Sequence, residues 1–146
     1  MNDPDCVFCK IIARQLPSAI LQEDDHGLVF LDRAPFEKGH ALVVPKYHAE
    51  RLTDLPLAWL QRLMPLIQET GRRLLRGLPC DGFSLLQSNG RCANQVVPHV
   101  HFHVIPRWEG DTNFMSVVGH VRVIPEDLAT TAAKFAPLFK KYCREV

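Results

Sequence analysis

Three histidines stand two residues apart in His99-Val100-His101-Phe102-His103-Val104-Ile105-Pro106, and this spacing constrains the chain more than any other feature. Successive side chains of a β-strand point to opposite faces, so a strand through this stretch puts all three imidazoles on one side and Val100, Phe102 and Val104 on the other. One face is left for chemistry and the other for packing. Imidazole works as nucleophile, acid, base or metal ligand near neutral pH, which makes a row of three a candidate reaction centre.

The 146 residues amount to one domain, 1–146, long enough to bury about two thirds of the unfolded surface. Seventeen basic against sixteen acidic residues leave a net charge of +1, which argues against a nucleic-acid surface and for small ligands. Apolar stretches are always interrupted, so neither a membrane span nor a secretory signal is expected, and the chain reads as cytoplasmic. Five cysteines is an odd number, and Cys6-Val7-Phe8-Cys9 is too tight for a framework disulfide. A reducing compartment and metal binding fit better than cross-links. Cys80, Cys92 and Cys143 read as ordinary small residues, and His26 and His120 as surface residues.

Leu28-Val29-Phe30-Leu31 and Ala41-Leu42-Val43-Val44 read as short buried strands. From a cap at Thr53-Asp54, Leu57, Leu60, Leu63, Met64, Ile67, Leu74 and Leu75 recur at helical spacing, predicting a helix to Gly77 that Pro65 kinks. Gly82 to Gln87 alternates as a strand, and Ser88 to Pro98 forms a polar loop opening beside the histidines. A last helix after Pro125 carries Leu128, Ala132, Phe135, Leu138 and Phe139 on its inner face. The order of elements suits an α+β domain with an antiparallel sheet.

The chain resembles the histidine-triad, or HIT, superfamily of nucleotide hydrolases and transferases. The resemblance rests on His99 to Ile105, on Cys6-Val7-Phe8-Cys9-Lys10-Ile11-Ile12, on Phe30-Leu31-Asp32, on Lys38 to Lys46, and on Gln87-Ser88-Asn89-Gly90 with Gln95. It covers about Cys6 to Arg107, with 108–146 as a C-terminal segment and helix. It implies a sheet of about five strands, two main helices, a homodimer, and cleavage of an AMP-type nucleotide from a phosphate-linked leaving group through a nucleotidyl-histidine intermediate. The catalytic set it implies is His101 as nucleophile, with His103, His99 and His40; His103 is expected beside the phosphoryl oxygens and His40 to complete a cationic pocket. The physics agrees, because a neutral imidazole attacks phosphorus and replaces one difficult step by two easier ones. By the same resemblance Asp32 accepts from the ribose hydroxyls, Asn89 and Gln95 contact the α-phosphate region, and Phe8, Ile11, Phe30 and Leu31 line the base slot.

Cys-x-x-Cys supplies half of a tetrahedral zinc site. In zinc-bearing members of the superfamily the other ligands correspond to His48 and His99, which implies a structural Zn2+ held by Cys6, Cys9, His48 and His99. A catalytic metal on the triad is the rival, but no Asp or Glu lies within the triad or just before it. Two positions depart from the family's pattern: Asn94 replaces a small residue, and Val96 replaces a Ser or Thr that helps the leaving group depart. The Val96 backbone N–H remains able to hold a phosphate oxygen, and leaving groups that need little protonation, such as polyphosphates, are favoured. Arg107 to Met115 resembles the dinucleoside-polyphosphate-cleaving members, with Trp108 to stack on a second base and Arg107 to meet a distal phosphate. A nucleotide-binding regulatory module with only slow phosphoramidase activity, and a zinc-scaffolded interaction domain, are the alternatives.

Overall fold

Two segments that are apolar at every position, 27–31 and 41–45, need cover on both faces of a sheet, and they form its centre. The computed structural model describes residues 3–112 and 127–139. Its elements run α1 (Val7–Ile12), β1 (Ile20–Glu23), β2 (Gly27–Leu31), β3 (Ala41–Pro45), α2 (Leu57–Gly77), β4 (Gly82–Leu86), β5 (Phe102–Arg107) and α3 (Leu128–Phe139), with 3-10 turns at Leu52–Asp54 and Arg91–Ala93. The five strands lie in the order β1-β2-β3-β5-β4, each neighbour antiparallel.

Strand alternation divides the core in two. Val29, Ala41, Val43, Phe102 and Val104 pack with Leu63, Leu66, Ile67 and Leu74 of α2, while Leu28, Phe30, Leu42 and Val44 pack with Phe8, Cys9 and Ile11 of α1. Because Leu42 pairs with His103, the third histidine belongs to the α1 side. Each fully buried aliphatic side chain contributes about 1.5–3 kcal/mol, so the sheet's centre is held firmly from both sides.

The connection from β1 to β2 follows from Asp24, whose carboxylate accepts the N–H of His26 (2.8 Å) and of Gly27 (2.7 Å). Both β1 and α1 were absent from the sequence reading. β1 is a mostly exposed edge strand with a register shift between Ile20 and Gln22, so it shows no clean alternation. α1 has six residues, too few for helical periodicity to show.

Four expectations need correction. First, only the third histidine lies inside β5: His99 to His101 approach it outside the ladder, because the Val100 N–H bonds to the Ala49 carbonyl (2.8 Å) and the His99 N–H to the Val97 carbonyl (2.8 Å). The two-sided division survives, with Val100 in the α2 core. Second, α2 starts after Pro56, and Thr53-Asp54 belongs to a separate 3-10 turn. Third, Leu57, Met64 and Leu75 are exposed, lying on a different side of α2 from the buried Leu63, Leu66, Ile67, Thr70 and Leu74. Fourth, the last helix forms, capped by Asp127 accepting from the N–H groups of Ala129 and Thr130, but it buries none of its residues among those described. His120, Cys143, Pro125 and the end of the segment from Asn113 lie outside the described residues.

The turn into β3 depends on Gly39, whose φ of +88° favours glycine and whose added Cβ would stand 2.7 Å from Leu78 Cδ1. Gly39→Ala is therefore expected to lower stability by about 1–3 kcal/mol. Gly77→Ala, where a Cβ would meet nothing within 4 Å, is expected to be neutral or slightly stabilising. Urea denaturation midpoints of the two variants check the contrast.

Candidate functional site

β3 and β5 run side by side, and the residue leading into β3, His40, therefore meets the third triad histidine across the sheet. His40 Nε2 and His103 Nδ1 are 2.9 Å apart. The Asp32 N–H bonds to the His40 carbonyl (2.9 Å), extending the β2–β3 pairing one step and bringing the Asp32 carboxylate to the same corner. Its Oδ2 lies 3.6 Å from His40 Nε2 and 3.8 Å from His103 Nδ1, while its Oδ1 accepts the Ala34 N–H (2.8 Å).

His101 is buried, and its Nδ1 lies 2.7 Å from the His99 carbonyl. A carbonyl only accepts, so Nδ1 carries the proton and the neutral ring keeps its lone pair on Nε2. Burial pushes the His101 imidazole below its ordinary value, against the opposing pull of the His99 carbonyl and Asp32. Burial, helped by the His101 and His40 charges, brings His103 down to about 4. Burial also lowers His40, with Asp32 opposing. Burial thus disfavours the charged form of all three rings in the free site.

The Phe8 ring meets the His101 ring edge-on at 5.1 Å and on another side meets the Phe30 ring at 5.6 Å. Ile11 is buried with them, and Leu31 is partly exposed at the strand end. Phe36 was missed: its ring stacks on His40 (5.1 Å, 24°) and faces His103 (6.4 Å, 24°), and its N–H donates to His40 Nδ1 (3.2 Å). No pattern in the sequence marks it, since it sits in an irregular loop four residues before its partner.

The loop before the triad is held by its own amides. Gln95 accepts the Gly90 N–H (2.6 Å) and donates to the Glu50 carbonyl (2.7 Å), and Asn89 accepts the Leu52 N–H (2.8 Å). Asn94 takes a left-handed conformation, φ 65°, which asparagine tolerates. Val96 is 90% exposed.

His99 is turned away from His40 and His103. It joins Cys6, Cys9 and His48 in a group whose donor atoms lie within 4.8 Å of one another. Cys6 Sγ is 3.3 Å and Cys9 Sγ 3.7 Å from His99 Nδ1; His48 Nδ1 is 3.4 Å from Cys9 Sγ and 3.3 Å from His99 Nδ1. Ligands about 2.0–2.3 Å from a tetrahedral ion stand about 3.3–3.7 Å apart, so this donor set fits zinc. His99 Nε2 lies 3.0 Å from the Pro45 carbonyl, so it carries the ring proton and leaves Nδ1 free to ligate.

Arg107 does not stand ready for a distal phosphate. Asp111 accepts from its Nε (2.7 Å) and from its Nη2, and Nη1 donates to Ser84 Oγ (3.1 Å). The same carboxylate accepts the Trp108 N–H (3.0 Å), so the turn after β5 uses this guanidinium internally. His26 is half-buried against the Trp59 ring (5.4 Å), not simply on the surface. Among the described residues no helix is long and apolar enough to cross a membrane.

A five-stranded antiparallel sheet with a buried histidine corner beside a Cys2His2 group defines a class, and residues 13–110 match the family model described as the HIT domain. The chain belongs to the HIT domain family. It is 44% identical to an adenosine 5'-monophosphoramidase of Saccharomyces cerevisiae over 72% of this chain and 64% of that protein. It is 39% identical to an adenylylsulfatase of Arabidopsis thaliana over 73% of this chain and 54% of that one. The match thus spans less than two thirds of either relative. A crystal structure of a Zn-bound histidine triad family protein from Mycobacterium smegmatis is similar at 33% identity with a TM-score of 0.72, covering 97% of this chain and 98% of that one.

The lowered values carry a sign. His103, ordinarily near 6.5 and here about 4, stays neutral in the folded chain while the unfolded chain takes up a proton between those values. Its contribution to stability is present above pH 6.5 and is lost as pH falls towards about 4. Histidine-selective NMR titration is expected to show His103 titrating near 4 and His101 below 6.5.

Proposed function

We propose that this chain is a HIT-type nucleotide hydrolase that cleaves AMP-like nucleotides from a leaving group on the α-phosphate, with His101 as the nucleophile. The observation that carries the reading is the 2.7 Å bond from His101 Nδ1 to the His99 carbonyl, which leaves a neutral Nε2 lone pair in a desolvated pocket. In the first step Nε2 attacks phosphorus, a P–N bond forms, and the bond to the leaving group breaks with its electron pair. Water then attacks the same phosphorus, the P–N bond breaks with its electron pair returning to Nε2, the water's proton passes to solvent, and AMP is released with the ring restored.

His103 stands beside the phosphoryl oxygens, Asp32 accepts from the ribose hydroxyls, and Phe8, Ile11, Phe30 and Leu31 hold the base. Gln95 and Asn89 act by shaping the loop that presents the Val96 N–H to a phosphate oxygen, since their amides are tied to Gly90, Glu50 and Leu52. Val96 offers no hydroxyl for proton delivery. The preferred leaving groups are therefore those that depart as stable anions, sulfate or polyphosphate, ahead of amines.

The test is a panel of adenosine phosphoramidate, adenylyl sulfate and a diadenosine polyphosphate, read by AMP release and by trapping of a nucleotidyl-protein adduct. The anionic leaving groups are expected to turn over faster, and His101→Ala to reduce every rate by at least about 10³-fold and abolish the adduct. Undiminished turnover in His101→Ala would reject the mechanism, and nucleotide binding without turnover in the unaltered protein would favour a regulatory module.

The Cys6, Cys9, His48 and His99 group holds a structural zinc. Cys6, Cys9, His48 and His99 would fill all four positions of a tetrahedral ion, which would tie the start of α1 to the segment that carries His101 and leave no open position for chemistry. Elemental analysis is expected to find one tightly held zinc per chain. Cys9→Ser should lose it and melt at a lower temperature.

A homodimer fits the surface. Leu57, Met64 and Leu75 on α2, and Phe83 and Leu85 on the edge strand β4, are exposed apolar residues, and Gly71 lets the Phe83 ring lie close on the helix to join the two rows.

A further inference from the structure

The histidine corner contains more hydrogen-bond information than the attack on phosphorus uses. Each neutral imidazole has one donor nitrogen and one acceptor nitrogen. His40 Nδ1 faces the Phe36 N–H at 3.2 Å. A backbone N–H only donates, so Nδ1 of His40 accepts and its proton sits on Nε2. That nitrogen lies 2.9 Å from His103 Nδ1 and 3.6 Å from the Asp32 carboxylate, so the bond goes to His103. His103 Nδ1 must then accept, and its own proton sits on Nε2. The opposite assignment would set a His40 Nδ1–H against the Phe36 N–H, two donors face to face in a buried site.

We infer that the Phe36 backbone N–H, acting through His40, fixes His103 as the Nε2–H tautomer and so makes the third triad histidine a standing hydrogen-bond donor for the substrate's phosphoryl oxygen. His40 is on this view a positioning residue. It holds no charge and touches no reacting atom; its role is to choose which nitrogen of His103 carries the proton. The use of that donor rests on the nucleotide reading above, whereas the tautomer itself does not.

The same bond bears on a competing use of this corner. Asp32, His40 and His103 form a group of metal-ligand type, with one donor atom each within 4.8 Å of the others. The fold thus supplies the carboxylate that the triad's own neighbourhood in the sequence lacks. Ligation through His40 Nε2 would need its lone pair, and the Phe36 N–H leaves that nitrogen protonated. The backbone bond favours the relay over an ion. The Phe36 ring lies over His40 at 5.1 Å and is inclined 24° to both His40 and His103, while the relay itself needs only the Phe36 backbone N–H.

The experiment is histidine nitrogen NMR on the full chain without substrate, paired with steady-state kinetics. His103 is expected as the Nε2–H tautomer in the unaltered protein. His40→Gln, whose side-chain amide places an N–H where His40 Nε2 stands, should keep that tautomer. His40→Ala should give a mixture, with kcat lowered by up to about 10²–10³-fold, the scale of losing one preorganised donor, and KM changed far less. Phe36→Leu retains the backbone N–H and should leave the His103 tautomer unaltered. An Nδ1–H tautomer at His103, or an identical tautomer ratio in His40→Ala and the unaltered protein, overturns the relay. A correct tautomer in a protein that releases no AMP supports the relay and overturns the nucleotide reading.

Discussion

The pairing of Leu42 with His103 is the contact on which the rest of the site depends. Shifting β5 by one residue against β3 would turn His103 into the α2 core and bring Phe102 or Val104 to the histidine corner. The register is fixed because Phe102 and Val104 have a fully apolar place to go, among Val43, Ala41, Leu63 and Leu74, and His103 does not. Packing on one side of the sheet thus positions chemistry on the other.

Desolvation is the second consequence of that sheet. Strands covered on both faces leave the histidines little water, and burial is the largest influence on His40, His99, His101 and His103, in each case towards the neutral form. A neutral ring would suit each of the roles proposed for them, nucleophile at His101, ligand at His99 and donor-acceptor relay at His40 and His103. Backbone groups orient these rings: the His99 carbonyl meets His101, the Pro45 carbonyl His99, and the Phe36 N–H His40.

Much of the frame was legible in the sequence because it rests on local pattern. The unbroken apolar runs at 28–31 and 41–44 marked the central strands, the 3.6-residue spacing marked α2, and Cys-x-x-Cys marked half of the Cys2His2 group. Where local pattern was weak the reading failed. β1 is mostly exposed and bulged, α1 is only six residues long, and the apolar residues of α2 fall on two sides of the helix that spacing alone did not separate. Arg107 read as a contact to a distal phosphate because nothing in a linear sequence shows that Asp111, four residues on, turns back onto it.

What the sequence by itself determined is the division of labour along the triad: residues two apart in an extended chain share a face, so three imidazoles stand opposite three apolar side chains whatever the remainder of the fold does. What only the tertiary structure decided is which atoms of those imidazoles are available. Protonation, tautomer and partner depend on water exclusion and on groups distant along the chain, Asp32, Phe36, His40, Cys6 and Cys9, and such groups meet only when the sheet is assembled. Side-chain direction is a property of the local backbone, whereas the state of an ionisable ring is a property of everything packed around it.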